Sequence, residues 1–213
     1  MNAKPVVARS VAILGGAYNP PTIAYDKIVR AILQKDIVQE VWLMPYKERA
    51  FGKFMAADAQ QRLRMAEILA GQIGEHVHAS DIEISREGKS YTIDTVRELK
   101  RQYPDHTFSW IIGTDLLYEL SDWKDIDQLA SEVSFLGVLR PGYPVDAALI
   151  DRYHVQLLLG PRQMPDVSAS LVRQRLASGK SMHGLVPEPI EHYIETEGLY
   201  RPETDPTLVQ KED

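Results

Sequence analysis

Two short stretches of this 213-residue chain hold residues suited to phosphate chemistry. The first is VAILGGAYNPPTIAY, from Val11 to Tyr25. Gly15 and Gly16 follow an apolar run and let the backbone turn tightly and approach a ligand with no side chain between. Asn19-Pro20-Pro21 then leads into Ile23, Ala24, Ile28 and Ala31 at helical spacing, and proline is tolerated in a first helical turn. The order is strand, glycine turn, helix N-terminus, whose free N–H groups and positive dipole end suit a phosphate. The second stretch is VSASLVR, Val167 to Arg173. Ser168 suits an N-cap, Ser170 falls in the first turn, and Arg173 lies one turn later on the same face as Ser170. Hydroxyl, N–H groups and guanidinium together make a phosphate clamp. On local grounds the first stretch is as readily a plain strand-to-helix turn, and the second is more readily a capped surface helix.

The elements around these stretches set where they can meet. Apolar runs predict strands at Val11–Leu14, Val38–Met44, Phe108–Ile112, Val133–Leu139 and Val155–Leu159, and short alternation predicts another over His76–Ile84. Apolar positions at helical spacing predict helices over Gln60–Ala70, Ser90–Arg101, Asp115–Leu120, Ile126–Ala130, Ser170–Ala177 and Pro189–Glu197. A polar stretch from Tyr46 predicts a surface loop carrying Lys47, Arg49 and Lys53. Strands alternating with amphipathic helices imply an α/β fold, Rossmann-like and doubly wound, its sheet mainly parallel with helices on both faces. Ligands bind such sheets beyond the strand carboxyl ends, where the strand order switches. Gly15, Gly113 and Arg140 all fall at predicted strand carboxyl ends. We expect one domain over residues 1–200 and an exposed tail over 201–213.

Composition narrows the function. The chain is 44% hydrophobic and 25% charged, ordinary for a globular protein, and no apolar run approaches a membrane span. With no cysteine, disulfides, thiolate chemistry and cysteine-type zinc sites are excluded. The N-terminus lacks the pattern of a signal peptide, so a cytoplasmic location fits. A net charge of -6 argues against nucleic acid or a membrane surface as partner. A small anion needs only a local basic cluster.

GGAYNPPTIAY resembles the first signature of the nucleotidyltransferase superfamily, GG(T/S)F(D/N)PxHxGH. Gly15, Gly16, Asn19 and Pro20 match and Tyr18 stands for phenylalanine, but Thr22, Ala24 and Tyr25 replace the two histidines and the glycine between them. VSASLVR is similar to the superfamily's ISSTxxR signature, with Ser168 and Arg173 in place and Ser170 for threonine. SYTIDTVREL (90–99), WIIGTD with Trp123 after it, VLRPGYP (138–144) and the closing GLVPEPIEHYIETEGLY then resemble, in order, the nicotinate-nucleotide (nicotinamide-nucleotide) adenylyltransferases. The resemblance runs from about Val11 to Tyr200.

It implies ATP binding by Gly15, Gly16, Ala17, Tyr18, Gly113, Asp115, Ser168, Ser170 and Arg173. It implies a mononucleotide site with Tyr91 and Thr92 by the nicotinate carboxylate, Trp123 stacked on the pyridine, and Arg140. Thr22, Tyr25, Lys53 and Arg173 become the candidate catalytic residues. The implied partners are ATP and nicotinate or nicotinamide mononucleotide, with homo-oligomerisation left open. Mg²⁺ would arrive on the ATP phosphates, with no dedicated metal site. The implied reaction is in-line attack of the mononucleotide phosphate on the ATP α-phosphorus, catalysed by placement and charge neutralisation. Threonine and tyrosine donate hydrogen bonds but carry no positive charge at neutral pH. Losing one preorganised donor costs about 2.7–4 kcal/mol. Three readings follow: a working adenylyltransferase with an altered phosphate end, a catalytically weak relative that binds nucleotides as a sensor or regulator, and a transferase of the same fold with another phosphate substrate. The SYTIDT and Trp123 motifs argue against the third.

Overall fold

The computed structural model describes residues 8–47, 55–140, 142–159 and 164–201. Its strands are β1 (Ser10–Gly16), β2 (Glu40–Pro45), β3 (Val77–Ala79), β4 (Thr107–Gly113), β5 (Ser134–Val138) and β6 (Gln156–Leu159). They form one sheet in the order β3-β2-β1-β4-β5-β6, every neighbouring pair parallel. The helices are α1 (Ile23–Gln34), α2 (Ala59–Ile73), α3 (Ile82–Ser85), α4 (Thr92–Gln102), α5 (Thr114–Leu117), α6 (Ile126–Glu132), α7 (Ala147–Tyr153), α8 (Ala169–Ala177) and α9 (Glu188–Glu197).

Side chains alternate across each strand, so a sheet covered on both faces needs apolar residues at successive positions. In β1, Ala12 and Leu14 join the core beneath α1, α2, α8 and α9, with Val29, Met65, Val172 and Ile190. Val11 and Ile13 join the opposite core, with Ile93, Val96, Leu99 and Leu129 from α4 and α6. This is the doubly wound parallel sheet the sequence implies. After β3 the chain crosses to the far side of β1, and the order reverses between β1 and β4. That reversal opens a crevice at the strand carboxyl ends.

Three elements differ from the sequence reading. The strand expected over His76–Ile84 ends at Ala79, and Ile82 and Ile84 belong to α3. Asp81 starts that helical turn: its carbonyl accepts from the Ser85 N–H at 2.8 Å and its carboxylate from the Ser85 hydroxyl at 2.7 Å. The helix expected over Asp115–Leu120 is split into α5 and a 3-10 turn at Leu120–Asp122. Helix α7, seven residues long, had no counterpart in the sequence reading; Asp146 caps it by accepting from the Ala148 and Leu149 N–H groups. Arg49, Lys53 and the tail from 202 lie outside the described residues. Among the described residues, no helix is long and apolar enough to cross a membrane.

Candidate active site

A cavity of about 1600 Å³ opens beyond the carboxyl ends of β1, β4 and β5. A pocket for one small ligand is roughly 300–1,000 Å³, so this one has room for two nucleotides. Around it lie Gly15, Gly16, Thr22, Tyr25, Tyr91, Thr92, Gly113, Asp115, Trp123, Arg140, Ser168 and Ser170. Six separate sequence segments therefore meet at one crevice. Ala17, Tyr18 and Arg173 do not line it, and Lys53 falls outside the described residues.

The glycine turn differs in detail from the sequence expectation. The α1 N-terminus was expected to offer free N–H groups to a phosphate. Its first N–H groups are already used: Ile23 N–H donates to the Leu185 carbonyl at 3.0 Å, Ala24 N–H to Thr22 Oγ1 at 3.4 Å, and Tyr25 N–H to the Thr22 carbonyl at 3.0 Å. Thr22 is the buried N-cap of α1. Gly16 leaves room inside the protein for Tyr25: a Cβ there would collide with the Tyr25 hydroxyl and displace that side chain. Tyr18 was assigned to ATP, but its side chain is fully buried; its hydroxyl donates to the Leu14 carbonyl at 2.7 Å and its ring lies 4.7 Å from that of Tyr25. Tyr18 has a left-handed backbone, φ 54°, uncommon for a residue with a side chain. Burial above all, together with Tyr46 and Asp115, pushes the Tyr25 phenol up to about 12, against the opposing pull of Arg140 and the Tyr18 backbone. Tyr25 is thus a neutral group throughout the physiological range.

Asp115 and Arg140 come together across the β4 and β5 ends, paired at 2.6 Å. Gly113 makes room for them: a Cβ there would collide with the Asp115 carboxylate and come within 3.0 Å of Arg140 Cδ. Arg140 N–H donates to the Thr114 hydroxyl at 2.9 Å, which fixes the strand end. Ser168 caps α8 by accepting from Leu171 N–H at 3.1 Å, and Ser170 is exposed. Arg173 donates to Ser170 Oγ at 3.2 Å and to the Asn19 carbonyl at 2.7 Å, so it ties α8 to the turn after β1. Tyr91 and Thr92 begin α4, with the Lys124 ammonium 5.0 Å from the Tyr91 ring centre. Trp123 is half-buried beside them and packs on the same core as Tyr91.

Two residues were missed by the sequence reading. Glu83 lines the cavity as a buried carboxyl, accepts from the Thr95 hydroxyl at 2.7 Å, and is pushed upward in pKa by its burial. Arg62, on α2, is 1% exposed and reaches the glycine turn. Its signal was its phase: Arg62, Met65, Ala66, Leu69 and Ala70 form the buried stripe of α2, and a charge in that stripe marks a buried polar job.

Fold and cavity together define an α/β protein of the doubly wound class with its crevice at the strand carboxyl ends. The cytidylyltransferase-like family model matches residues 13–175. A relative from Halalkalibacterium halodurans described as "Probable nicotinate-nucleotide adenylyltransferase" is 35% identical over 198 residues, covering 91% of this chain and 92% of the relative. One of the same description from Shouchella clausii is 36% identical over 197 residues, covering 90% and 97%. The chain belongs to the nicotinate-nucleotide adenylyltransferase family. The Plasmodium falciparum nicotinic acid mononucleotide adenylyltransferase complexed with NaAD has the same fold, with a TM-score of 0.78 at 20% identity over 90% of this chain and 97% of that one.

Proposed function

We propose that this protein transfers AMP from ATP to nicotinate mononucleotide and releases pyrophosphate, a step of NAD biosynthesis. The observation that carries the reading is that one cavity is lined both by Ser168 and Ser170 and by Tyr91, Thr92 and Trp123. Motifs suited to a triphosphate and motifs suited to a pyridine ring share a space large enough for both nucleotides. The relatives' names point the same way.

In this reading Ser168, Ser170 and Arg173 hold the ATP phosphates through charge-assisted hydrogen bonds. Gly15 and Gly16 let the nucleotide approach the β1 end. Trp123 offers its face to the pyridine ring, and Tyr91 and Thr92 hold the ring's carboxylate. Arg140 and Asp115 face the phosphates and ribose from β5 and β4. The mononucleotide phosphate oxygen attacks the α-phosphorus, the bond to the β-phosphate oxygen breaks, and pyrophosphate departs. Mg²⁺ would come as part of the ATP complex and would neutralise charge on the phosphates. Among the described residues, no group of three or more His, Asp or Glu could hold a resident ion. No covalent intermediate is needed; the protein supplies alignment and charge neutralisation.

One observation favours the second reading, a nucleotide-binding relative with little turnover: the neutral Tyr25 hydroxyl fills the space beside Gly16 in the crevice. The ring site gives the first test. Trp123→Ala raises the KM for nicotinate mononucleotide at least about tenfold while the KM for ATP changes less than about twofold, since losing a stacked aromatic costs about 1–3 kcal/mol. Steady-state kinetics measure both. Equal effects on the two substrates would make Trp123 a packing residue and remove the pyridine site.

A further inference from the structure

The mononucleotide end of the cavity holds one carboxyl that the transfer chemistry does not use. Glu83, on α3, is 6% exposed and lines the cavity together with Ser90, Tyr91 and Thr92. The Thr95 hydroxyl joins it to the start of α4: Oγ1 lies 2.7 Å from Glu83 Oε1 and 3.2 Å from the Tyr91 carbonyl. A hydroxyl has one proton to give. The Tyr91 carbonyl already accepts from the Asp94 and Thr95 N–H groups, each at 3.1 Å, so the Thr95 proton serves Glu83. A single hydroxyl thus spans the distance from Glu83 to Tyr91, a residue assigned above to the ring carboxylate.

The charges around Glu83 leave it poorly compensated. Arg86, three residues on, gives Nη2 to Thr95 Oγ1 at 3.0 Å rather than to the carboxyl. Lys47, at the β2 end, donates to the Arg86 carbonyl at 3.4 Å, and Lys124 is paired with Asp94 at 2.8 Å. Lys89 is exposed in the cavity wall, and Glu119 and Asp122 add negative charge to the same wall. Burial pushes the Glu83 carboxyl upward, with Thr95, Arg86 and Ser90 opposing. Among the described residues, Arg86 Nη1 and the Ser90 hydroxyl are buried without hydrogen-bond partners.

Two unused donors beside a cavity suit a ligand oxygen. Both pyridine substituents supply one, and they differ in the second atom. A carboxylate brings another acceptor and a negative charge, whereas a carboxamide brings an NH₂ donor. Two carboxylates sharing one site do not both stay ionised, so one takes a proton. A carboxamide NH₂ instead donates to an ionised carboxylate.

We propose that Glu83 is a specificity-determining residue of the mononucleotide site: it takes up a proton from solvent when the ring carries a carboxylate and stays ionised when the ring carries a carboxamide. This rests on the adenylyltransferase reading for the identity of the ligand. Nicotinate is then preferred toward acid pH, and nicotinamide gains as pH rises.

The test is calorimetry of the full chain with each mononucleotide, in two buffers of different ionisation enthalpy, at about pH 7.5. The phosphate common to both ligands cancels in the difference. Nicotinate mononucleotide is expected to bring in about half a proton or more beyond nicotinamide mononucleotide. The ratio of their dissociation constants, nicotinate over nicotinamide, rises with pH by up to about tenfold per unit. In Glu83→Gln the amide keeps an oxygen for Thr95 and offers an NH₂ to a carboxylate; there the proton difference disappears and the ratio is flat with pH. Equal proton uptake in wild type, or a difference that survives in folded Glu83→Gln, overturns the proposal. If Glu83→Gln fails to fold, Thr95→Val decides: losing the hydroxyl that favours the ionised form moves the onset of the rise to higher pH, and an unmoved onset overturns the proposal. A Glu83-dependent proton difference without dinucleotide formation from ATP would fail the transfer reading and leave the proposal standing. Dinucleotide formation with equal proton uptake would do the reverse, and binding of neither mononucleotide would overturn both.

Discussion

Tyr25→His raises pyrophosphate release at saturating ATP by about tenfold or more, because it changes two things at the phosphate end together. The space against Gly16 opens, since the Tyr25 hydroxyl fills it in wild type. An imidazole with an ordinary pKa near 6.5 can carry positive charge, whereas the Tyr25 phenol, with its pKa pushed up to about 12, stays neutral. Donors aimed at transition-state charge are worth about 10²–10³ in rate, so a gain of this size needs only part of one. Adding Thr22→His does not compound the gain. Thr22 is 3% exposed and accepts from Ala24 N–H as the α1 cap, and losing such a cap costs about 1 kcal/mol. The double variant is therefore expected to melt lower than Tyr25→His with no higher kcat. Robust wild-type turnover that falls in Tyr25→His would mean that Tyr25 is fitted to a different substrate.

Arg173→Ala weakens ATP binding by about tenfold to a hundredfold, the 1.5–3 kcal/mol of a hydrogen bond to a charged group. Arg173 stands on α8 beside Ser170 and reaches the Asn19 carbonyl at 2.7 Å. Removing it takes away the proposed phosphate ligand and also frees the turn after β1 from α8. Melting is expected to fall only slightly, because the side chain is half-buried and its loss leaves Val172, the buried residue of α8, in place. Arg175→Ala is the control, since that guanidinium donates to the Ser181 carbonyl at 2.7 Å and not to Ser170 or the turn after β1. Calorimetry with ATP that gives equal affinities for the two variants would remove Arg173 from the phosphate site.

Much of the sheet was legible because its strands are buried on both faces and therefore read as continuous apolar runs. Val11–Leu14 and Phe108–Ile112 fall within β1 and β4. The short edge strand β3 was overextended because Ile82 and Ile84 alternate as a strand would, while Asp81 and Ser85 close a helical turn around them. Helix α7 spans under two turns, too short for a period to register, although Asp146 before two alanines was a capping signal. Residue type and spacing brought most candidate side chains to the crevice, but not the state of the backbone. The inward ring of Tyr18, the capped start of α1 and the direction of the Ala17–Tyr18 peptide depend on partners far away in sequence, Leu185 and Arg62 among them. No local pattern around the glycines encodes those partners.

The most direct measurement of the central claim is a mass balance. Purified protein is incubated with ATP, Mg²⁺ and nicotinate mononucleotide, then separately with nicotinamide mononucleotide, and pyrophosphate and dinucleotide are quantified together. The account expects equimolar pyrophosphate and dinucleotide, formed only when ATP and a mononucleotide are both present. Absence of dinucleotide with either mononucleotide, in a preparation that binds ATP by calorimetry, would contradict it and leave a nucleotide-binding protein built on a transferase fold.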